Sequence, residues 1–343
     1  MPPATAHPEL GGGGDGAPRT PVTASGARGA RDVRLRWGAS ISGAFLVTLV
    51  RPASWAFGLL AFLAGGGLAV IAWPILVLPT PTGLQNALGN PISSLVFGAP
   101  SQAMLGMLVA GLAGIVALFL VALLLGSWAE RHGIAIALEA AADEAILAPA
   151  PDVDGAPGAG RIAVIRLLGL VPLAIALLLA WRPVYDVTYR ELVLPGNLVS
   201  PLPIRVLGQV PWVVVSVLVA WLAGDAAASV GVRRLVIERR PVLAAWLLGW
   251  ADLVRRAHRV IPTALAGLGV LLLLTVPGLG AVALGWTRVR DVVVGGGDAT
   301  AVFVALVVWV ATWLGTLVLA GVGSAFRSAA WTLELPRRRS PDR

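Results

Sequence analysis

"GVGSAFRSAAWTLEL", residues 321–335, follows the last long apolar run of the chain. It opens on small residues and then carries Arg327 and Glu334 among aromatic and aliphatic side chains. Two earlier apolar runs end in the same way, with "GSWAERHGIAIALE" (126–139) and "GDAAASVGVRRLVIE" (224–238). In these three exit segments the interval from the first Gly to the last Glu differs by one residue at most. Self-similarity of this kind predicts an internal repeat.

Composition indicates a membrane protein. Of 343 residues, 57% are hydrophobic and 13% are charged, with a mean hydropathy of +0.83. Soluble domains usually carry about a quarter charged residues. Several apolar runs reach the roughly 20 residues that a helix needs to cross ~30 Å of hydrocarbon. We therefore predict an all-α polytopic transmembrane bundle with six spans, near 55–78, 103–126, 161–181, 207–226, 261–286 and 301–322.

The odd-numbered spans repeat a second pattern, an arginine followed by a proline at a nearly constant distance. Arg51 precedes Pro74, Arg161 precedes Pro183 and Arg255 precedes Pro277. We predict three tandem units, 51–139, 161–238 and 255–334, each a helical hairpin followed by a helix along the cytoplasmic surface. Convergence is the alternative, because any inner membrane boundary favours arginine and small residues. Small residues in "AGGG" (64–67) and in 321–329 should allow close helix approach.

The remaining segments differ in composition from the spans. Residues 1–30 are rich in Pro and Gly and lack apolar periodicity, which predicts a disordered cytoplasmic tail. A single transmembrane domain should cover 31–336, with a flexible inner loop at 147–161. A basic cytoplasmic tail follows at 337–343.

Orientation follows from arginine placement, since the 26 basic residues are all arginine. With six spans and an inner N-terminus, Arg166 lies within a span and most of the others lie on the inner side. The outer loops hold only Arg182, Arg190, Arg205, Arg288 and Arg290. This asymmetry predicts cytoplasmic termini. The Ala, Gly, Arg and Pro bias without lysine is typical of a high-GC bacterium, so we expect a bacterial plasma membrane.

Two short segments are predicted to be interfacial helices. In 241–254, the residues Leu243, Trp246, Leu247, Trp250, Leu253 and Val254 recur at helical spacing as one apolar stripe, with Asp252 on the polar side. The segment is too short to span, and arginines flank it, as in monotopic helices. Residues 39–50 show the same features. A re-entrant segment lining a cavity is the alternative.

Ionisable residues at membrane depth are candidate functional residues. Arg166 lies five residues inside the third span, where its side chain should snorkel to the inner headgroups. Asp225 follows a continuous apolar span. We expect it at the cytoplasmic mouth, paired with an arginine, and a proton- or cation-coupling role is the alternative.

An outer segment, "WRPVYDVTYRELVLPGN" (181–197), holds both tyrosines of the chain, Tyr185 and Tyr189. They share a helical face with Trp181, which predicts an aromatic belt at the outer boundary. Asp186 and Arg190 are spaced to pair at i, i+4. The functional alternative is a lip over an outward-facing cavity, where Asp186, Arg190 and Glu191 meet a ligand or partner.

Signals for other functions are weak. The sequence has no cysteine, no HExxH helix and no GxSxG elbow, so we predict no catalytic, cofactor-binding or metal-binding residues and no cofactor. "GGGD" (295–298) lacks the Lys-Ser/Thr of a phosphate loop. Attraction to anionic lipid headgroups at the inner face accounts for the net charge of +8 without nucleic acid.

Three repeats of two helices, with a proline in each odd helix, resemble the mitochondrial carrier family. The acidic and basic residues that follow that family's proline are missing here: Pro74 precedes "ILVLP", Pro183 precedes "VYDVT" and Pro277 precedes "GLGAV". No binding residue carries over. The inner segments also resemble those of uncharacterised multi-pass integral membrane proteins of high-GC bacteria, a resemblance that implies no activity.

Three functions are consistent with these features. The first is a non-catalytic scaffold or accessory membrane component that contacts membrane lipids and a protein partner. The second is a permease or channel for a small or lipid-like solute. The third is an intramembrane enzyme of unknown class. A filled bundle axis would favour the first, and a polar aqueous path would favour the second.

Overall fold

The computed structural model describes residues 36–72, 98, 101–144, 146, 157–194 and 202–335. The predicted tails at 1–30 and 337–343, most of the loop at 147–161 and the end of the first span at 73–78 lie outside the described residues. Within this part all regular structure is helical, which confirms the all-α class. The helices are α1 Trp37–Val50, α2 Ala53–Phe62, α3 Leu68–Ala72, α4 Gln102–Asp143, α5 Ala159–Gly169, α6 Val171–Val193, α7 Leu202–Gln209, α8 Pro211–Ile237, α9 Val242–Arg255, α10 Ala257–Val294 and α11 Ala299–Glu334.

Six helical segments are long and apolar enough to cross a membrane, so the chain is a multi-pass membrane protein. They are Ala53–Ala72, Gln102–Asp143, Ala159–Glu191, Pro211–Ile237, Ala257–Val294 and Ala299–Glu334, and they match the six predicted spans. In the first segment, a π-helical turn at Leu63–Gly67 joins α2 to α3. Gly66 has a φ of 101° there, a conformation that residues with a side chain rarely adopt. The third segment joins α5 and α6 at Leu170, next to Pro172.

The three exit segments do not form separate surface helices, so that part of the prediction is wrong. Each continues its spanning helix, to Asp143 in α4, to Ile237 in α8 and to Glu334 in α11. Their apolar patches are buried against neighbouring helices instead of lying on the interface. Ile134, Leu235 and Phe326 are each at most 3% exposed. Burial in a helix-packed core removes more apolar surface from water than one-sided contact with headgroups does.

Each predicted repeat contributes a pair of packed helices: α2 with α4, α5 and α6 with α8, and α10 with α11. The ends of these hairpins that carry most of the arginines pack together, and we call this region the arginine-rich end (126–143, 159–169, 224–260 and 321–335). There α11 lies against α2 as well as α10. Small residues permit the close crossing of α11 with α2. A Cβ added to Gly58 would lie 2.5 Å from the Gly321 carbonyl oxygen, so there is no room for a side chain at this position.

The two predicted interfacial segments, 39–50 and 241–254, are both helical, as α1 and α9. Helix α1 packs on α11 and α4, and α9 packs on α8 and α5. The buried face of α9 is its small face, Ala245, Gly249 and Asp252. Of the predicted apolar stripe, Trp246 and Leu253 pack against the bundle, whereas Leu243, Leu247 and Val254 are exposed. A Cβ on Gly249 would lie 2.2 Å from the Ala227 carbonyl oxygen, so the backbones are in close contact.

Burial is concentrated at the arginine-rich end. The most apolar 18-residue window of α4 has none of its residues buried, and that of α11 has 6%. The arginine-rich parts of the same two helices are largely buried, for example Ile134 and Leu138 in α4. The six spans are therefore bound together at one end, while much of their remaining length is left for lipid or for other protein.

Candidate functional site

A network of buried and partly buried charges lies where four helices meet at the arginine-rich end. Its members come from α4, α5, α8 and α11 and alternate in charge through the bundle. They are Glu130, Arg166, Asp225, Arg233 and Arg327, with Ser229 and Ser328 as hydrogen-bond partners. We call this set the ionic network.

Arg166 joins α5 to two other helices. Its Nε donates to Glu130 Oε2 at 2.8 Å, and its Nη2 donates to Glu130 Oε1. Its Nη1 lies 3.3 Å from Asp225 Oδ1 and 3.2 Å from Ser229 Oγ. Paired arginine–carboxylate contacts of this geometry are strong and directional. The sequence predicts that Arg166 snorkels to the headgroups, and the structure adds that its guanidinium contacts two carboxylates of neighbouring helices.

Arg233 is the most deeply buried member, with its side chain 1% exposed. It donates to Glu130 Oε1, so that one carboxylate serves two arginines. Its Nη2 also lies 3.3 Å from the Ser328 carbonyl oxygen and 3.1 Å from Ser328 Oγ. Arg233 therefore ties α8 to both α4 and α11. An isolated buried guanidinium would be costly, and these acceptors offset that cost.

Asp225 closes the network on the α11 side. Arg327 donates to its Oδ2, and Arg166 contacts its Oδ1. The expectation that Asp225 pairs with an arginine is confirmed, and it has two such partners. The stem of Arg327 lies against Gly267 of α10, where an added Cβ would stand 2.9 Å from Arg327 Cγ. Because Gly267 has no side chain, the stem of Arg327 has room to lie against α10 at this place.

The network holds three arginines and two carboxylates, a formal charge of +1. Each carboxylate contacts two guanidinium groups, so the charges of the network are held by one another. In the part of the chain that the structure describes, no group of three or more His, Cys, Asp or Glu residues is placed to hold a metal ion. The geometry suits a fixed clamp between helices better than a reaction centre.

Sequence reasoning missed Glu130, Arg233 and Arg327 as members of one site. A signal was available in the exit segments. Counting back nine residues from their final glutamates, Glu139, Glu238 and Glu334, gives Glu130, Ser229 and Ala325. In the structure Glu130 and Ser229 face the same guanidinium, that of Arg166. Equivalent positions of two repeats therefore lie at the same site.

A second set of ion pairs attaches α9 to this end of the bundle. Arg234 of α8 donates to Asp252 Oδ2 through Nε at 3.2 Å and through Nη2 at 2.6 Å, and it also binds Glu238. Asp252, predicted on the polar side of an interfacial helix, is thus turned into the bundle.

The aromatic residues of the outer segment are exposed, as an aromatic belt requires. Trp181, Tyr185 and Tyr189 are 71%, 57% and 61% exposed, and the rings of Trp181 and Tyr185 are 6.3 Å apart. Asp186 does not pair with Arg190 as predicted. Its ion pair is with Arg182, at 4.0 Å, because one helical turn in the other direction also brings a cation alongside.

Glu191 does not face an outward cavity with Asp186 and Arg190. It is 8% exposed and accepts from Arg205 Nη1 at 2.7 Å and from Gln209. It joins α6 to α7 beside a small apolar cluster that includes Val187 and Val206. The structure thus brings Arg166 and Asp225 together and uses Glu191 as a buried helix-to-helix contact.

Comparison of the chain with protein-family models, with curated proteins and with solved structures finds no match.

Proposed function

We propose that this chain is a non-catalytic accessory component of a bacterial plasma membrane, which holds a partner protein within the bilayer. The ionic network carries this proposal. It fills the place where α4, α5, α8 and α11 converge, and each of its carboxylates is bound by two arginines. A rigid end of this kind suits a scaffold, because a transport route through the same place would have to break several buried ion pairs.

The uncovered lengths of the spans supply contact surface for such a component. The apolar window of α4 has no buried residue, although the same helix is firmly packed around Glu130. With the arginine-rich end at the inner face, the positive-inside rule orients both termini toward the cytoplasm. Anionic lipids of the inner leaflet then lie opposite the exposed arginines.

Affinity purification from native membranes in mild detergent tests the proposal. A scaffold should co-purify with a defined membrane protein in constant ratio. That ratio should fall when bulky residues replace exposed small ones on α4, as in Gly111→Leu, where an added side chain meets open space within the chain. The equivalent change at Gly315 of α11, also in open space, tests whether the partner contacts that span instead. Purification of the intact chain without any stoichiometric partner would contradict the proposal.

A permease is the second candidate, and the uneven burial of the spans favours it. Spans that converge at one end and are uncovered along the rest of their length are also expected of a transporter closed on one side. Under this proposal the ionic network is the closed gate. Solute uptake into proteoliposomes that depends on breaking and re-forming the Asp225–Arg327 pair would favour the permease over the scaffold.

A further inference from the structure

The ionic network has more cations than anions, and its hydrogen-bond donors are unevenly used. Arg166 and Arg233 each make four hydrogen bonds, whereas Arg327 makes one, from Nη2 to Asp225. A guanidinium has five N–H donors and no acceptor. In the part of the chain that the structure describes, Nε and Nη1 of Arg327 donate no hydrogen bond. The network therefore has room for one more negatively charged acceptor, and Arg327 is where that acceptor is missing.

The excess cation is accessible from outside the network. The side chains of Arg166 and Arg327 are both 24% exposed, and Asp225, which contacts both, is also partly exposed. Arg233 and Glu130 are buried, so they form the inner part of the network. A ligand would therefore meet two guanidinium groups side by side. Guanidinium groups are well suited to bind phosphate or carboxylate oxygens.

Apolar surface extends from the network along α4 and α8, away from the arginine-rich end. The apolar window of α4 has no buried residue. In residues 211–223 of α8 only Val213 is buried, and it packs on α6 and α7. Side chains separated by whole helical turns share a face. On the faces that carry Glu130 and Asp225, the exposed apolar residues are Val116 and Phe119 of α4 and Val214, Leu218 and Trp221 of α8.

The charged and apolar parts lie in the order that a phospholipid of the inner leaflet requires. With the arginine-rich end at the inner face, the network lies at headgroup depth, and the exposed faces of α4 and α8 run toward the middle of the bilayer. A zwitterionic headgroup would bring its own ammonium to a network that is already positive. A headgroup with one net negative charge would neutralise the network instead.

We propose that the ionic network binds the phosphodiester of an anionic phospholipid, with the acyl chains lying along α4 and α8. The phosphate oxygens accept from Nε and Nη1 of Arg327 and from the exposed side of Arg166. No ion pair of the network has to break for this lipid to bind. The inference goes beyond the proposed function and does not depend on it, since the purified chain can bind lipid without a partner protein.

Lipid binding to the delipidated full chain in detergent tests the proposal, with native mass spectrometry as the readout. The probes are phosphatidylglycerol, phosphatidylethanolamine, phosphatidylcholine and the water-soluble ester glycerophosphoglycerol. We expect phosphatidylglycerol to bind about tenfold more tightly than the two zwitterionic lipids, the effect of one charge-assisted hydrogen bond. Equal binding of the three lipids would overturn the proposal.

Substitution of Arg327 locates the headgroup. Arg327→Gln removes the excess charge, so the preference for phosphatidylglycerol over phosphatidylethanolamine should be lost. Arg327→Lys keeps the charge and should retain most of the preference. The matched control is Arg161→Gln, because Arg161 is an exposed arginine at the same end of the bundle but is not a member of the network. An equal fall of the preference in Arg327→Gln and Arg161→Gln would indicate general attraction to a basic surface and overturn the proposal.

The acyl chains are tested separately. Leu218→Ser should weaken the binding of phosphatidylglycerol and phosphatidylethanolamine alike, because apolar contact on α8 is lost. Leu178→Ser, at an exposed position of α6, should leave binding unchanged, and equal effects of the two changes would contradict the placement of the chains. Glycerophosphoglycerol has the phosphodiester without the chains, so binding as tight as that of the lipid would overturn the lipid as occupant. Should Arg327→Gln fail to fold, the lipid series on the unaltered chain and on Arg327→Lys still decides the outcome.

Discussion

Arg166 of α5 binds Glu130 of α4 through two nitrogens, with Nε 2.8 Å from Oε2. Glu130 also accepts from Arg233 of α8, so one buried carboxylate holds two arginines and joins three helices. The stability of the arginine-rich end should therefore depend on this carboxylate more than on any exposed charge.

Glu130→Gln removes the negative charge and leaves the two arginines with a neutral partner. Breaking a buried ion pair from one side costs about 3–5 kcal/mol, because a charge remains buried without compensation. We expect a clear fall in the melting temperature measured by fluorescence-detected size exclusion. Glu139→Gln, at an exposed position of the same helix, should leave it unchanged. Equal effects of the two changes would show that the buried pair contributes little.

Gly267→Ala tests how Arg327 is positioned. The added methyl would stand 2.9 Å from Arg327 Cγ and displace the guanidinium from Asp225. We expect lower thermal stability. The control is Gly269→Ala on the same helix, where nothing lies within 4 Å. Because alanine favours helix over glycine by about 1 kcal/mol, the control should be neutral or stabilising. A stabilised Gly267→Ala protein would contradict the placement of Arg327.

Asp225→Asn distinguishes a structural role from coupling. Asparagine keeps the size of the side chain but removes the charge that binds Arg166 and Arg327. We expect lower thermal stability in detergent, with any activity in proportion to the amount of folded protein. A double-mutant cycle with Arg327→Gln should be non-additive, as for residues in direct contact. A pH-dependent solute flux that is lost only in Asp225→Asn would instead indicate a proton-linked transporter.

Ala245→Leu tests which face of α9 packs on the bundle. Ala245 is fully buried against α5 and α8, so the larger side chain should overpack the contact and cost about 1–3 kcal/mol. The neighbouring change Ala244→Leu, on a partly exposed position, should be tolerated. Thermal unfolding measures both. The reverse ranking would mean that α9 packs through another face.

Orientation can be tested by thiol labelling, since the native chain has no cysteine. Cysteine at Thr300, at the exposed start of α11, should react with an impermeant reagent applied to intact cells. Cysteine at Arg240, exposed between α8 and α9, should react only after the membrane is opened. Labelling of Arg240→Cys in intact cells would invert the predicted topology.

Several features could be predicted from the chain alone because they depend on short-range properties. Hydropathy predicts the spans, since any segment of sufficient apolar length must be a helix in a bilayer. The recurring Gly, Arg and Glu residues predicted three related units, and arginine spacing predicted α1 and α9. These signals lie within single segments, so no knowledge of packing was needed to find them.

The contacts between segments could not be read in the same way. The position of Arg166, five residues inside its span, predicts only that it reaches the headgroups. Glu130 and Asp225 lie beside it because α4, α5 and α8 converge. Likewise α9 approaches the bundle most closely through Ala245 and Gly249, and only part of the predicted apolar stripe packs beside them. A periodic pattern states which residues share a face of a helix. Which face meets which neighbour depends on the packing of all the helices together, and that is where the ionic network arises.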